Sequence, residues 1–348
     1  MDSAGDSAGD SAGDSAGDPV GPERPGSLPT GPHPTVGPGT VTMPRWPGVV
    51  LAVGGGVLVI AALGAAEMIR QGDLAGASRP LVGWLAIIGA AAFVAGLVYI
   101  ALRQLRVRSY LPPERYRGPA VLVLTLLVLA VALLLTAPFG DDATALVLGV
   151  GELTILGSIV ILLASQVGML LVSWLLVFRP RALAGLPLPP GNNAAGAVLS
   201  GVGWGVVATI GASLIGAAVV LVLERLGIET APQAAEQAIS RIDPWLAVLA
   251  VVIVAPIAEE VFFRGVVFNA LLREAGSRWA YIGSAALFAV IHLEPVAMLP
   301  LFALGLALAW VYQRTRNLLA PIAMHATVNG IAVALVLLDR FDLIRPPT

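Results

Sequence analysis

Nine stretches of this chain are apolar for long enough to cross a lipid bilayer, and that leaves few soluble folds open to it. A spanning helix needs ~20 largely apolar residues. The candidates fall at 48–69, 80–102, 118–138, 150–178, 196–223, 244–265, 279–293, 296–313 and 319–338. Of the 348 residues, 57% are hydrophobic and 12% charged, against ~25% charged in soluble domains, so a water-facing surface cannot be assembled. In hydrocarbon the backbone must satisfy its own hydrogen bonds, which helices do. The expected fold is therefore an all-α polytopic transmembrane bundle of about nine spans. The stretch 279–293 is short for a span. The apolar run from 144 to 178 is long enough to begin with a bent or re-entrant piece near Gly149 and Gly151.

Residues 1–47 follow other rules. Four copies of DSAG run from Asp2 to Gly17, and a Pro/Gly-rich stretch continues to Pro47. With no large apolar side chain in the repeats, nothing offsets the entropy of ordering them. They also lack the basic flank and cleavage pattern of a secretory signal. The chain is thus expected to divide into a disordered acidic tail (1–47), accessory transmembrane helices (48–140) and a functional domain (145–340). The absence of cysteine removes disulfides, thiolate metal sites and a Cys nucleophile. A net charge of −2 gives no reason to expect a nucleic-acid partner.

All 20 basic residues are Arg. With nine spans drawn, Arg103, Arg106, Arg108, Arg115, Arg117, Arg179, Arg181, Arg264, Arg273, Arg278, Arg314 and Arg316 fall on one side. Acidic or mixed loops (Asp141 and Asp142, then Glu224, Arg225, Glu229, Glu236, Arg241 and Asp243) fall on the other. By the positive-inside rule the N-terminus is then cytoplasmic, in what reads as a bacterial cell membrane.

Ionisable residues within spans are functional candidates, and they gather in the last third. In AEEVFFRG (258–265), Glu260 and Arg264 stand i, i+4 with the acid first, so they share a helix face and pair. Glu259 lies ~100° away around the helix and points elsewhere. Pro256 removes a backbone hydrogen bond just before it. Two of the three histidines, His292 and His325, lie in apolar segments downstream. His325 and Asn329 are i, i+4 on one face, as are Phe288 and His292. Glu259 precedes the hairpin tip at Arg273 by 14 residues, and His292 follows Arg278 by 14. At ~1.5 Å per residue both lie ~21 Å from the tip, at equal depth. A carboxylate beside an imidazole can deprotonate water, while a second imidazole and an amide can steady an oxyanion. Alternatively, Glu259, His292 and His325 can bind a divalent metal such as zinc as a His₂Glu set. Asn is a poor metal ligand, so Asn329 leans toward the oxyanion reading.

The runs EEVFFR, FAVIH and HATVN, in this order and spacing, resemble the three motifs of the CPBP family of intramembrane endopeptidases. That family includes the CAAX prenyl proteases and bacterial relatives linked to bacteriocin processing and self-immunity. The pattern Glu-Glu-x-x-x-Arg, Phe-x-x-x-His, His-x-x-x-Asn is met at every position. The resemblance implies that Glu259 and His292 activate water, that His325 and Asn329 form the oxyanion site, and that Glu260 and Arg264 carry structural weight. It also implies a helical bundle with its site facing the cytoplasm, a peptide or protein substrate, and a metallo- or glutamate-type mechanism. It covers roughly 145–340. Two other classes remain open on the sequence. One is a catalytically silent immunity or scaffold protein of the same fold. The other is a proton-coupled transporter, which also buries Glu and His in its spans.

Overall fold

The computed structural model describes residues 43–71, 79–139, 154–183, 194–228 and 239–343. The DSAG repeats, His33, Asp141, Asp142, Gly149, Gly151, Glu152, Glu229 and Glu236 lie outside the described residues. Among those described there is no strand, and nine helices follow one another. These are α1 (Trp46–Gln71), α2 (Arg79–Arg108), α3 (Val121–Phe139), α4 (Ile155–Phe178), α5 (Ala194–Arg225), α6 (Pro244–Ala275), α7 (Ser277–Ile291), α8 (Met298–Thr315) and α9 (Leu319–Arg340). Seven of them are long and apolar enough to cross a membrane. The chain is an integral membrane protein built as a polytopic helical bundle.

The count of nine spans is not reproduced. Helix α7 has 15 residues, ~22 Å of helix against ~30 Å of hydrocarbon. Helix α8 has 18 residues but closes on Tyr312, Gln313 and Arg314, which dilute its apolar character. The first helix also starts at Trp46, two residues inside the stretch read as tail.

Lipid is as apolar as a leucine side chain, so these helices associate by close packing at small residues. A Cβ on Gly201 of α5 would collide with the Ala320 carbonyl oxygen of α9, and one on Gly305 of α8 would come within 2.9 Å of the Ala285 Cα of α7. These approaches seat the helices that carry His325 and His292. No residue in the most apolar stretch of α5 is buried, whereas more than half of that of α6 is. Helix α6 is thus the enclosed one, packed by α4, α7, α8 and α9.

Helix α6 changes register along its length. Wide π-type turns occupy Val248–Val254 and Val261–Phe268, and ordinary α-helix lies between them over Ala255–Glu260. Such turns are rare and gather at functional sites. At the first junction the Ala255 N–H bonds the Ala250 carbonyl, five residues back, and the next residue is Pro256, which has no N–H to give. Near the second, the Asn269 side-chain amide covers the carbonyls of Arg264 (2.7 Å) and Gly265 (3.1 Å) and reaches the Tyr312 hydroxyl (2.7 Å). Gly276, at φ +88°, turns the chain into α7, a left-handed conformation that glycine adopts without steric cost.

Candidate active site

The two adjacent glutamates have different partners, as their helix angles require. Glu260 and Arg264 form a salt bridge at 2.8 Å, and both side chains are 0% exposed. Burial of two charges is costly, and further hydrogen bonds offset part of that cost. Arg264 also donates from Nη2 to the Gly305 carbonyl at 3.0 Å, while Arg264 Nε and Glu260 Oε2 have no hydrogen-bond partner among the described residues. Its guanidinium lies 4.9 Å from the centroid of the Phe288 ring, a cation–π contact strengthened by the dry surroundings. The Glu260 Oε1 that accepts from Arg264 also lies 3.0 Å from His325 Nδ1. Phe288 touches the rest of the cluster, with its ring 4.9 Å from that of His292 and 5.5 Å from that of His325.

Glu259 faces both imidazoles. Its Oε2 lies 4.0 Å from His292 Nε2 and 3.9 Å from His325 Nε2, and among the described residues this buried oxygen has no hydrogen-bond partner. The ring protons follow from chemistry. His292 Nδ1 stands 2.6 Å from the Phe288 carbonyl oxygen, which only accepts, so Nδ1 carries the hydrogen. His325 Nδ1 likewise donates to the Glu260 carboxylate. In the neutral rings, both Nε2 atoms therefore aim lone pairs towards the region of Glu259 Oε2. Three acceptors converge, and none can bond another without a shared proton donor.

The spacing discriminates between bridging species. Direct hydrogen bonds run ~2.7–3.2 Å, so separations of 3.9–4.0 Å are too long. An oxygen ~2.8 Å from two such atoms subtends roughly 90° between them, an angle that a water can accept. A tetrahedral zinc with bonds of ~2.1 Å sets its ligand atoms only ~3.4 Å apart. Among the described residues no group of three or more His, Cys, Asp or Glu side chains is arranged to hold a metal ion. The set Glu259, His292 and His325 does not fit a zinc centre as it stands, and the metalloprotease reading finds no support in it.

Five of the six expected site residues therefore gather in one cluster: Glu260 is hydrogen-bonded to Arg264 and His325, and Glu259 stands 3.9–4.0 Å from His325 and His292. Asn329 lies one helical turn beyond His325, but its Nδ2 donates to the Val251 carbonyl of α6 at 2.9 Å. Among the described residues no hydrogen bond joins it to Glu259 or either histidine. The cluster is most open at His292, whose side chain is 30% exposed against 11% for Glu259 and 3% for His325. Beside it Leu293 takes a left-handed φ of +55° and is 77% exposed. The sequence did not reveal the Gly305 and Val251 carbonyls, which are backbone groups, or the pairing of Asn269 with Tyr312.

These features define a multispan membrane protein with a buried centre of acids and imidazoles. A family model described as type II CAAX prenyl endopeptidase Rce1-like matches residues 241–331, the stretch from the start of α6 into α9. Over 85 residues the chain is 33% identical to "Putative membrane peptidase YdiL" of Bacillus subtilis (strain 168), covering 24% of this chain and 35% of that protein. Over 96 residues it is 30% identical to "UPF0177 protein YxdF" of Lactococcus lactis subsp. lactis (strain IL1403), covering 27% of this chain and 52% of that one. The chain thus spans about a third and about half of these relatives. The resemblance to the CPBP family is thus carried by residues 241–331, the stretch that holds all three motifs. No solved structure matches the chain.

Proposed function

We propose that this protein is an intramembrane endopeptidase that hydrolyses a peptide bond near the cytoplasmic leaflet with a water activated by Glu259 and His292. The observation that supports it is the convergence of Glu259 Oε2 and two imidazole Nε2 atoms at 3.9–4.0 Å, a spacing at which one water can donate to both Glu259 and His292. That water gives one hydrogen to the Glu259 carboxylate and directs the other to the Nε2 of His292. As its oxygen bonds the scissile carbonyl carbon, Glu259 takes the first proton and the carbonyl electrons move onto oxygen. Two groups serve that oxyanion: the Nδ2 hydrogen of Asn329 not used by Val251, and His325 when it holds a second proton. The Glu260 carboxylate at the far nitrogen of His325 then balances the ring's charge. Breakage of the C–N bond follows, and Glu259 returns its proton to the departing amine. General-base assistance of this kind contributes ~10²–10⁴-fold, and one oxyanion donor ~10²–10³-fold.

The test is purified protein in proteoliposomes, incubated with a peptide library and read by mass spectrometry for new carboxyl termini. Cleavage is expected without added metal. If folded protein yields no new terminus from any peptide, the enzyme reading fails. Peptide capture without cleavage then indicates the silent scaffold class, and substrate-driven proton flux the transporter class.

A further inference from the structure

The hydrogen bond from Asn329 to Val251 crosses 78 residues of sequence, and the register of α6 explains why that carbonyl accepts it. In regular α-helix the Val251 carbonyl would take the N–H of Ala255. Here the Ala255 N–H bonds the Ala250 carbonyl instead. In the wide-turn register the donor for Val251 is residue 256, and Pro256 has no N–H. The carbonyl is thus left without a main-chain donor in its own helix, a condition disfavoured for a group shielded from water. Asn329 supplies the missing donor from α9. Because a carbonyl only accepts, the contact also fixes which end of the amide faces α6: Nδ2 towards Val251, Oδ1 away. One Nδ2 hydrogen is then held, and the second is oriented by the amide plane, on the helix face shared with His325.

We propose that Pro256 is a positioning residue for Asn329. By withholding an N–H from the Val251 carbonyl, it reserves that carbonyl for the Asn329 amide and locks the amide's orientation beside His325. The catalytic half of this inference rests on the peptidase reading, in which the second Nδ2 hydrogen meets the oxyanion. The structural half, that Pro256 and Asn329 are coupled through one carbonyl, does not.

The experiment is a double-mutant cycle of Pro256→Ala and Asn329→Ala, with two readouts: steady-state peptide cleavage and unfolding by SDS in mixed micelles. Pro256→Ala gives Val251 a main-chain donor that competes with Asn329. It is expected to lower kcat about 10-fold with KM within about 2-fold, the pattern of an interaction made in the transition state. In the Asn329→Ala protein the same substitution is expected to change kcat less than about 2-fold, because the partner is already gone. The unfolding midpoints are expected to be non-additive in the same sense, with Pro256→Ala more stabilising where Asn329 is absent. Equal effects of Pro256→Ala in both backgrounds, by either readout, overturn the coupling, and a change confined to KM overturns the catalytic half. If the parental protein cleaves nothing, the peptidase reading has failed on its own, and the unfolding cycle still decides whether Pro256 and Asn329 are linked.

Discussion

Replacement of Arg264 by leucine separates the stability of the buried ion pair from its part in the site. Arg264 and Glu260 are both 0% exposed, so the lone substitution leaves a carboxylate in a dry interior with only His325 Nδ1, 3.0 Å away, to answer it. Breaking one side of a buried pair typically costs about 3–5 kcal/mol, and the Gly305 carbonyl also loses its side-chain donor. Against a total stability of roughly 5–15 kcal/mol, that is a large fraction. The double variant Glu260→Leu with Arg264→Leu removes both charges, and such replacements by apolar residues are often close to neutral. Its residual losses are the Arg264 bond to the Gly305 carbonyl, which keeps its main-chain donor within α8, and the acceptor of His325 Nδ1, together about 1–3 kcal/mol. The single Arg264→Leu protein should therefore unfold at clearly lower SDS fraction than the parent, and the double variant should recover at least half of that loss. Cleavage should not recover with it, because His325 has lost the acceptor on Nδ1 that holds its ring. Unfolding followed by tryptophan fluorescence, beside the peptide assay, measures both. A single variant within about 1 kcal/mol of the parent, well under the broken-pair range, or a double variant no more stable than the single, refutes this description of the pair.

Two further outcomes follow from the site's geometry. Leu293 holds a left-handed conformation after α7 with its N–H on the Val290 carbonyl at 3.1 Å, a cap position that suits glycine. Leu293→Gly is expected to raise stability by about 0.5–1 kcal/mol, read as a shift in the unfolding midpoint; a loss would contradict the strain. Cleavage is also expected to persist in excess chelator with metal-stripped protein, since the distances at Glu259, His292 and His325 suit a water. Loss of activity on stripping and its return with zinc alone would reverse that assignment.

What the sequence made legible was the part governed by local helix geometry. Glu260 and Arg264 pair because i, i+4 places them on one face, and Glu259 must then look elsewhere. Its meeting with His292 followed from counting equal rises along a hairpin, and the tip at Gly276 lies within the predicted turn. Contacts that depend on the backbone were illegible. Pro256 marks a break in hydrogen bonding, but the carbonyl it leaves open, and the side chain that closes it, depend on a wide turn that no residue type announces. The attachment of His325 to Glu260 was missed because the sequence cannot say which carboxylate a third helix will face. The span count failed where composition was a poor guide to length, since α7 is apolar yet too short to cross alone.

Glu259 is the group on which the hydrolytic account turns, and the direct test is the single-turnover cleavage rate of Glu259→Gln beside the parent in the same bilayer. The amide keeps the shape but cannot take the proton from water, so the rate should fall by about 10²–10⁴-fold with peptide binding retained. A Glu259→Gln protein that cleaves at the parental rate would show that the carboxylate facing the two imidazoles is not the base.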